Sequence, residues 1–161
     1  MAKTVGLGIT GGIAVYKLAE LVSLLKKEDI DVIVMMTEAA TKFVTPLTFK
    51  TLSGREVITS LWQDSQEWKV QHIGVAEELD LLVIAPATAN FIAKMAHGLA
   101  DDLLSTVVLA NTAPVLVVPA MNSNMFINPV VQDNLKKLQS YGLTIMQPGT
   151  GQLACGTSGP G

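Results

Sequence analysis

Residues 80–90 read Asp80-Leu81-Leu82-Val83-Ile84-Ala85-Pro86-Ala87-Thr88-Ala89-Asn90. After Asp80 the first half is apolar throughout, without the alternation of a half-buried strand, so both faces of that strand must be covered. Pro86 lacks a backbone donor and is expected to end the strand. Thr88 is placed to cap the helical pattern that follows from about Ala89 to His97, and Gly98 stops it.

The same grammar repeats on both sides. Val5–Thr10 (VGLGIT) runs into Gly11-Gly12, and from Ile13 the apolar positions recur at helical spacing until Lys26-Lys27. Asp31–Met36 (DVIVMM) is a second buried strand, and Thr37 can cap a short helix reaching Phe43. Thr45-Pro46 reads as an N-cap and first helical residue, with Ser53-Gly54 as the stop. Val57–Trp62 reads as a short edge strand, residues 63–71 as a polar irregular stretch, and His72–Leu79 as one or two helical turns. Asp101 or Asp102 can cap the helix that reaches Ala110. Pro114–Val118 is a fourth strand, Asn128-Pro129 opens a helix to Tyr141, and Leu143–Met146 is a fifth strand. Continuous apolar strands alternating with helices predict a parallel sheet covered on both faces. The expected fold class is α/β: a doubly wound, three-layer α/β/α sandwich of flavodoxin/Rossmann-like type, one domain over residues 1–161.

In such sheets ligands bind at the carboxyl ends of the strands. Gly11-Gly12-Ile13 at the first strand end would let backbone N–H groups approach a phosphate. The signal alone is weak, since Gly-Gly is not the dinucleotide fingerprint and a plain tight turn explains it equally. Thr37 follows the second strand where an NAD fold holds the ribose on a carboxylate, which points to a smaller phosphate-bearing cofactor. Thr88 and Asn90 supply donors in a stretch small enough to admit a flat ring, although a helix cap accounts for Thr88 alone. Pro119–Phe126 (PAMNSNMF) sets two asparagines and two methionines in one loop, and the Asn122 amide can both donate and accept. His72 opens its helix, whereas His97 reads as an ordinary helix C-terminal residue. Cys155 sits in the glycine-rich tail from Gln147, better placed for chemistry than the usual buried thiol.

Composition narrows the class further. The 161 residues are 49% hydrophobic and 16% charged, with net charge -3. Mean hydropathy is +0.41. Disorder is excluded, no basic footprint indicates nucleic acid, and the apolar share suggests a subunit interface. One cysteine excludes an intrachain disulfide and, with two histidines, an ordinary structural zinc site. No apolar run has the length of a membrane span, and Met1–Thr4 leads straight into a strand without a signal-peptide pattern, so a cytoplasmic location is expected.

Taken together, Gly11-Gly12-Ile13-Ala14, His72, the 86–90 stretch, Pro-x-Met-Asn-x-x-Met at 119–125 and Leu-Ala-Cys-Gly at 153–156 resemble the homo-oligomeric flavin-containing cysteine decarboxylases over essentially the whole chain. The tail motif is the most specific, and resembles the branch that decarboxylates 4'-phosphopantothenoyl-L-cysteine to 4'-phosphopantetheine in coenzyme A biosynthesis. The resemblance implies FMN, with Gly11, Gly12, Ile13, Thr37, Ala39, Thr88, Ala89, Asn90 and Ala120 lining its site. It implies His72 as base for thiol oxidation, Asn122 as ligand of the substrate carboxylate, and Cys155 as the acid that completes reduction. Met125 and Ala154 would touch substrate, and residues 147–161 would form a flexible clamp over it. It also implies a homotrimer or dodecamer, with a phosphopantothenate–cysteine ligase, separate or fused, as partner. Two other readings share the fold: a peptidyl-cysteine decarboxylase, which would not need Cys155, and a non-catalytic flavoprotein regulating a phosphatase.

Overall fold

A computed structural model describes residues 3–62, 71–152 and 158–160, with the backbone alone at 71–72, 150–152 and 158–160. Five strands, β1 (Thr4–Ile9), β2 (Asp31–Met36), β3 (Leu81–Ala87), β4 (Val115–Pro119) and β5 (Thr144–Ile145), form one sheet in the order β2-β1-β3-β4-β5. Every neighbouring pair in it is parallel. A 3-10 turn, Ile13–Lys17, leads into α1 (Leu18–Lys27), and α2 (Glu38–Thr41) and α3 (Pro46–Ser53) follow β2. Then come α4 (Gln71–Glu78), α5 (Ala89–His97), α6 (Leu103–Ala110), α7 (Ser123–Phe126) and α8 (Pro129–Ser140). This is the doubly wound α/β class expected from the strand pattern, and the strand order reverses between β1 and β3.

The period-2 arrangement of each strand sorts the core into two layers. Val5, Leu7 and Ile9 pack with Val32, Val34, Met36, α1 and Phe49 of α3. Ile33, Met35, Leu82, Ile84 and Val117 face the opposite layer, beneath α4, α5, α6 and α8. The glycines of VGLGI belong to that second face. A Cβ on Gly6 would lie 2.6 Å from Leu79 Cδ1, and one on Gly8 would lie 2.6 Å from Leu104 Cδ1. Both leucines therefore seat directly on the β1 backbone, and a side chain at either glycine would have to push its leucine aside. On the first face helices cover β1 and β2, while Leu81, Leu116 and Val118 floor a groove of about 530 Å³ beside α1.

Four local readings are corrected. Pro86 does not end β3: the strand continues to Ala87, and its ladder to β4 shifts register between Ile84 and Ala87 to accommodate it. The Ala85–Pro86 peptide bond is cis. Val57–Trp62 makes no edge strand; only Ile58 bridges to Met35, because Ser53-Gly54 delivers the chain to β2 for a single pair. Thr45 precedes Pro46 as expected but makes no side-chain cap. The fifth strand shrinks to Thr144–Ile145, and beyond it Thr150–Gln152 and Ser158–Pro160 pair as an antiparallel β6–β7 hairpin. Residues 63–70 of the polar stretch lie outside the described residues. No helix among the described residues is long and apolar enough to cross a membrane.

Candidate functional site

The strand ends converge at the reversal point. Thr37 N–H donates to Ile9 O at 3.0 Å, and Ala120 N–H to Ala87 O at 3.1 Å, so the residues following β1, β2, β3 and β4 form one shelf. A Cβ on Gly11 would collide with Ala39, including its backbone, and one on Gly12 would stand 3.7 Å from Thr88 Cγ2 and 3.8 Å from Pro86 Cγ. Gly11, Gly12, Ala39 and Thr88 are thus neighbours, and the missing side chains at 11 and 12 keep the shelf open. Ile13 begins the 3-10 turn and is 56% exposed beside it. Ala89 and Asn90 form the first turn of α5.

Two shelf hydroxyls are committed in the same sense. Thr37 Oγ1 accepts from Ala40 N–H at 3.2 Å, and Thr88 Oγ1 accepts from Phe91 N–H at 3.3 Å. Each caps a helix with a lone pair, a bond that does not use its own proton. Together with the first N–H groups of the 3-10 turn and of α5, which have no intrahelical acceptors, this is a donor set suited to a phosphate-bearing group.

Asn122 is the N-cap of α7, and its Oδ1 accepts from Asn124 N–H at 2.9 Å. That bond identifies the bonded end of the amide as oxygen, and the NH2 group has no partner among the described residues. Met125 lies on the same short helix and is 48% exposed. Ser123 Oγ, next to Asn122, is buried without a hydrogen-bond partner among the described residues. The backbone of β7 runs against α7, bringing the tail hairpin to the Asn122 loop. Ala154 and Cys155 lie outside the described residues.

His72 occupies the first turn of α4. The far end of that helix is fastened twice: Leu79 rests on Gly6, and Arg55 joins Asp31 at 2.6 Å to Glu78 at 3.2 Å. Burial works against the Asp31 charge, but the hydrogen bond and charge of Arg55, with Lys26 behind, hold its carboxyl below the ordinary range. His97 is the structural residue expected, its Nδ1 2.9 Å from Ala93 O.

Thr10 stands out among the strand-end residues although no motif singles it out. It is 1% exposed, and its hydroxyl reaches Pro86 O and Thr88 N. The available signal was a polar residue closing an otherwise apolar strand.

The sequence pattern of the Flavoprotein family matches residues 1–161. The chain is 48% identical over 159 residues, 99% of its length, to the coenzyme A biosynthesis bifunctional protein CoaBC of Vibrio vulnificus (strain YJ016). It spans 40% of that relative. Among solved structures, the FMN-dependent cysteine decarboxylase SpaF superposes with a TM-score of 0.88 at 29% identity, covering 100% of this chain and 90% of that one. A mutant PPC decarboxylase complexed with pantothenoylaminoethenethiol gives a TM-score of 0.87 at 31% identity, again over 100% of this chain and 90% of the other. With a family match over its whole length, on the fold and shelf geometry just described, this chain belongs to the Flavoprotein family.

Proposed function

We propose that this chain is a cytoplasmic, FMN-dependent phosphopantothenoylcysteine decarboxylase, converting 4'-phosphopantothenoyl-L-cysteine to 4'-phosphopantetheine in coenzyme A biosynthesis. The observation that carries the reading is the donor-lined, glycine-cleared shelf at the β1/β3 reversal, set beside an asparagine whose NH2 end has no partner among the described residues. The relationship to CoaBC over 99% of the chain supports the same choice.

The residues fit FMN. Gly11 and Gly12 leave space that any Cβ would narrow, and Thr37 and Thr88 offer hydroxyl protons. Ile13, Ala39, Ala89, Asn90 and Ala120 complete the lining as small, apolar or amide neighbours. When bound, FMN supplies a two-electron sink for the thiol-bearing carbon of the substrate and returns those electrons after CO2 has left, so the net reaction is redox-neutral.

The protein's own part is binding and proton management. Asn122 donates its NH2 protons to the substrate carboxylate and holds the bond to be cleaved in orientation. His72 removes the proton released as the thiol carbon is oxidised. Cys155 supplies the proton that completes reduction of the enethiolate, while Met125 and Ala154 enclose the aminoethanethiol portion. The 147–161 tail is the segment that clamps over substrate, within a single FMN-binding domain that works as a homotrimer or dodecamer. Its partner is a phosphopantothenate–cysteine ligase, separate or fused.

The test is product analysis. Purified protein with FMN and 4'-phosphopantothenoyl-L-cysteine should release CO2 and form 4'-phosphopantetheine by mass spectrometry. Cys155→Ser should stop at an enethiol two hydrogens lighter, because a serine hydroxyl is a far weaker acid than a thiol of pKa about 8.5. Protein that cannot be loaded with FMN, or that leaves the substrate intact, overturns the reading.

A further inference from the structure

The β1–β3 ladder ends at Gly8–Ile84, yet β3 continues three residues further, paired with β4. On its β1 side this last stretch has no ladder partner. There the two strands diverge, and their divergence is the crevice itself. Backbone groups in such a gap are either solvated or satisfied by side chains.

One side chain does this. Thr10 Oγ1 donates to Pro86 O at 2.5 Å and accepts from Thr88 N–H at 3.1 Å. A single hydroxyl thus replaces the two ladder bonds that would otherwise continue. The residue is 1% exposed, one of four buried polar side chains among the described residues. Its β-branched Cβ restricts the rotamer that aims the oxygen. The Thr10 proton lies on Pro86 O, and Thr88 Oγ1 is 3.4 Å from Thr10 Oγ1 with one of its lone pairs on Phe91 N–H. Thr88 is thus held through its backbone N–H and its hydroxyl oxygen, and its N–H is withheld from any ligand.

We propose that Thr10 is a positioning residue for the flavin crevice: buried beneath the shelf, it sets the distance between the Gly11-Gly12 wall and the Thr88–Asn90 wall and holds Thr88 in place between them. This rests on the FMN reading above. The role is distinct from lining, since Thr10 acts through Pro86 and Thr88.

The experiment compares wild type, Thr10→Ser and Thr10→Val by titrating apoprotein with FMN, following flavin fluorescence and the visible circular dichroism of the saturated complex. Serine keeps both hydrogen bonds; valine keeps the shape and loses both. Thr10→Val is expected to weaken FMN binding by roughly tenfold or more and to alter the dichroism of the bound flavin, and Thr10→Ser to remain within a few-fold of wild type with its dichroism restored. A purely structural strut would lower the melting temperature of the apoprotein and leave the dichroism of the saturated complex unchanged, and that result overturns the proposal. If Thr10→Val does not fold, Thr10→Cys, a weaker donor and acceptor of similar size, takes its place. Wild-type affinity and dichroism in a folded Val or Cys variant refute the positioning role while FMN binding itself stands. Failure of the wild-type chain to bind FMN removes the flavin reading and this proposal together.

Discussion

Asn122 has one end of its amide bound to the α7 backbone, and that makes its free end predictable. Asn122→Asp separates the two jobs. The carboxylate still accepts from Asn124 N–H, so the melting temperature should hold within about 2 °C, while the lost NH2 donors and added charge should cut decarboxylation by roughly a hundredfold or more. Equal losses of stability and activity would show that Asn122 is only a cap. Gly11 poses the opposite case. Its Cβ would meet Ala39 backbone as well as side chain, so Gly11→Ala should cost about 1–3 kcal/mol in a denaturant titration and weaken FMN binding. Unchanged stability and affinity would mean that the two walls have slack. Paired glycines, the Thr88 hydroxyl and Asn122 between methionines draw notice by their place after strands, but a plain turn or cap explains each locally, and only the family resemblance gives them roles. Thr10 draws none. Its importance lies in where β1 and β3 part, which no local pattern records.

At the level of elements, the α5–α6 corner shows what spacing decides. Asp101 and Asp102 are both plausible caps by type, but only Asp102 has Ser105 three residues on, and the two form a reciprocal capping box. Lys94 joins the corner at 2.7 Å from Asp101 and 3.0 Å from Asp102. Burial pushes the Asp102 carboxyl up, but the Ser105 N–H and the Lys94 ammonium outweigh it and hold the group below its ordinary value of 3.8. A depressed carboxyl contributes stability that is fully present above its unfolded value and lost as pH falls through the folded one. Wild type should therefore lose stability below about pH 4 more steeply than Asp102→Asn, which keeps an N-cap acceptor without the charge. Parallel melting-temperature curves from pH 6 to pH 2.5 would contradict this. Asp102→Ala, lacking both, should be about 1 kcal/mol less stable at neutral pH. Strands and helices with strong periodicity were readable from the sequence. Pro86 misleads because a proline ordinarily signals the end of a strand, whereas a register shift toward β4 lets this strand absorb it. Ile58 misleads because a single bridge is too short for propensity to resolve.

Across the whole molecule, a single chain leaves apolar surface bare on elements that flank the candidate site. Ile13 and Tyr16 are 56% and 58% exposed on the 3-10 turn, and Ile127 and Val130 are 61% and 67% exposed just after α7. The groove floored by Leu116 and Val118 reaches the same shelf through Ala14, Pro86 and Ala120. The 49% hydrophobic composition anticipated surplus apolar surface, but composition has no direction and could not locate it. Surface of this kind is usually covered in a closed symmetric assembly. If copies of the chain meet at this rim and complete the site there, cofactor binding and assembly are linked equilibria and each strengthens the other. Light scattering should give three times the 17.1 kDa chain mass, or a multiple of that, and dilution should lower mass and FMN occupancy together. Val130→Glu sharpens the test. A negative charge suits the first turn of α8, so the fold should be retained, yet a carboxylate buried between subunits should oppose assembly. The variant should therefore be smaller in solution and bind FMN more weakly than wild type, at unchanged far-ultraviolet circular dichroism. A wild-type monomer that keeps FMN at micromolar concentration, or a Val130→Glu chain with wild-type mass and affinity, would move the interface away from this rim and make the shelf self-sufficient.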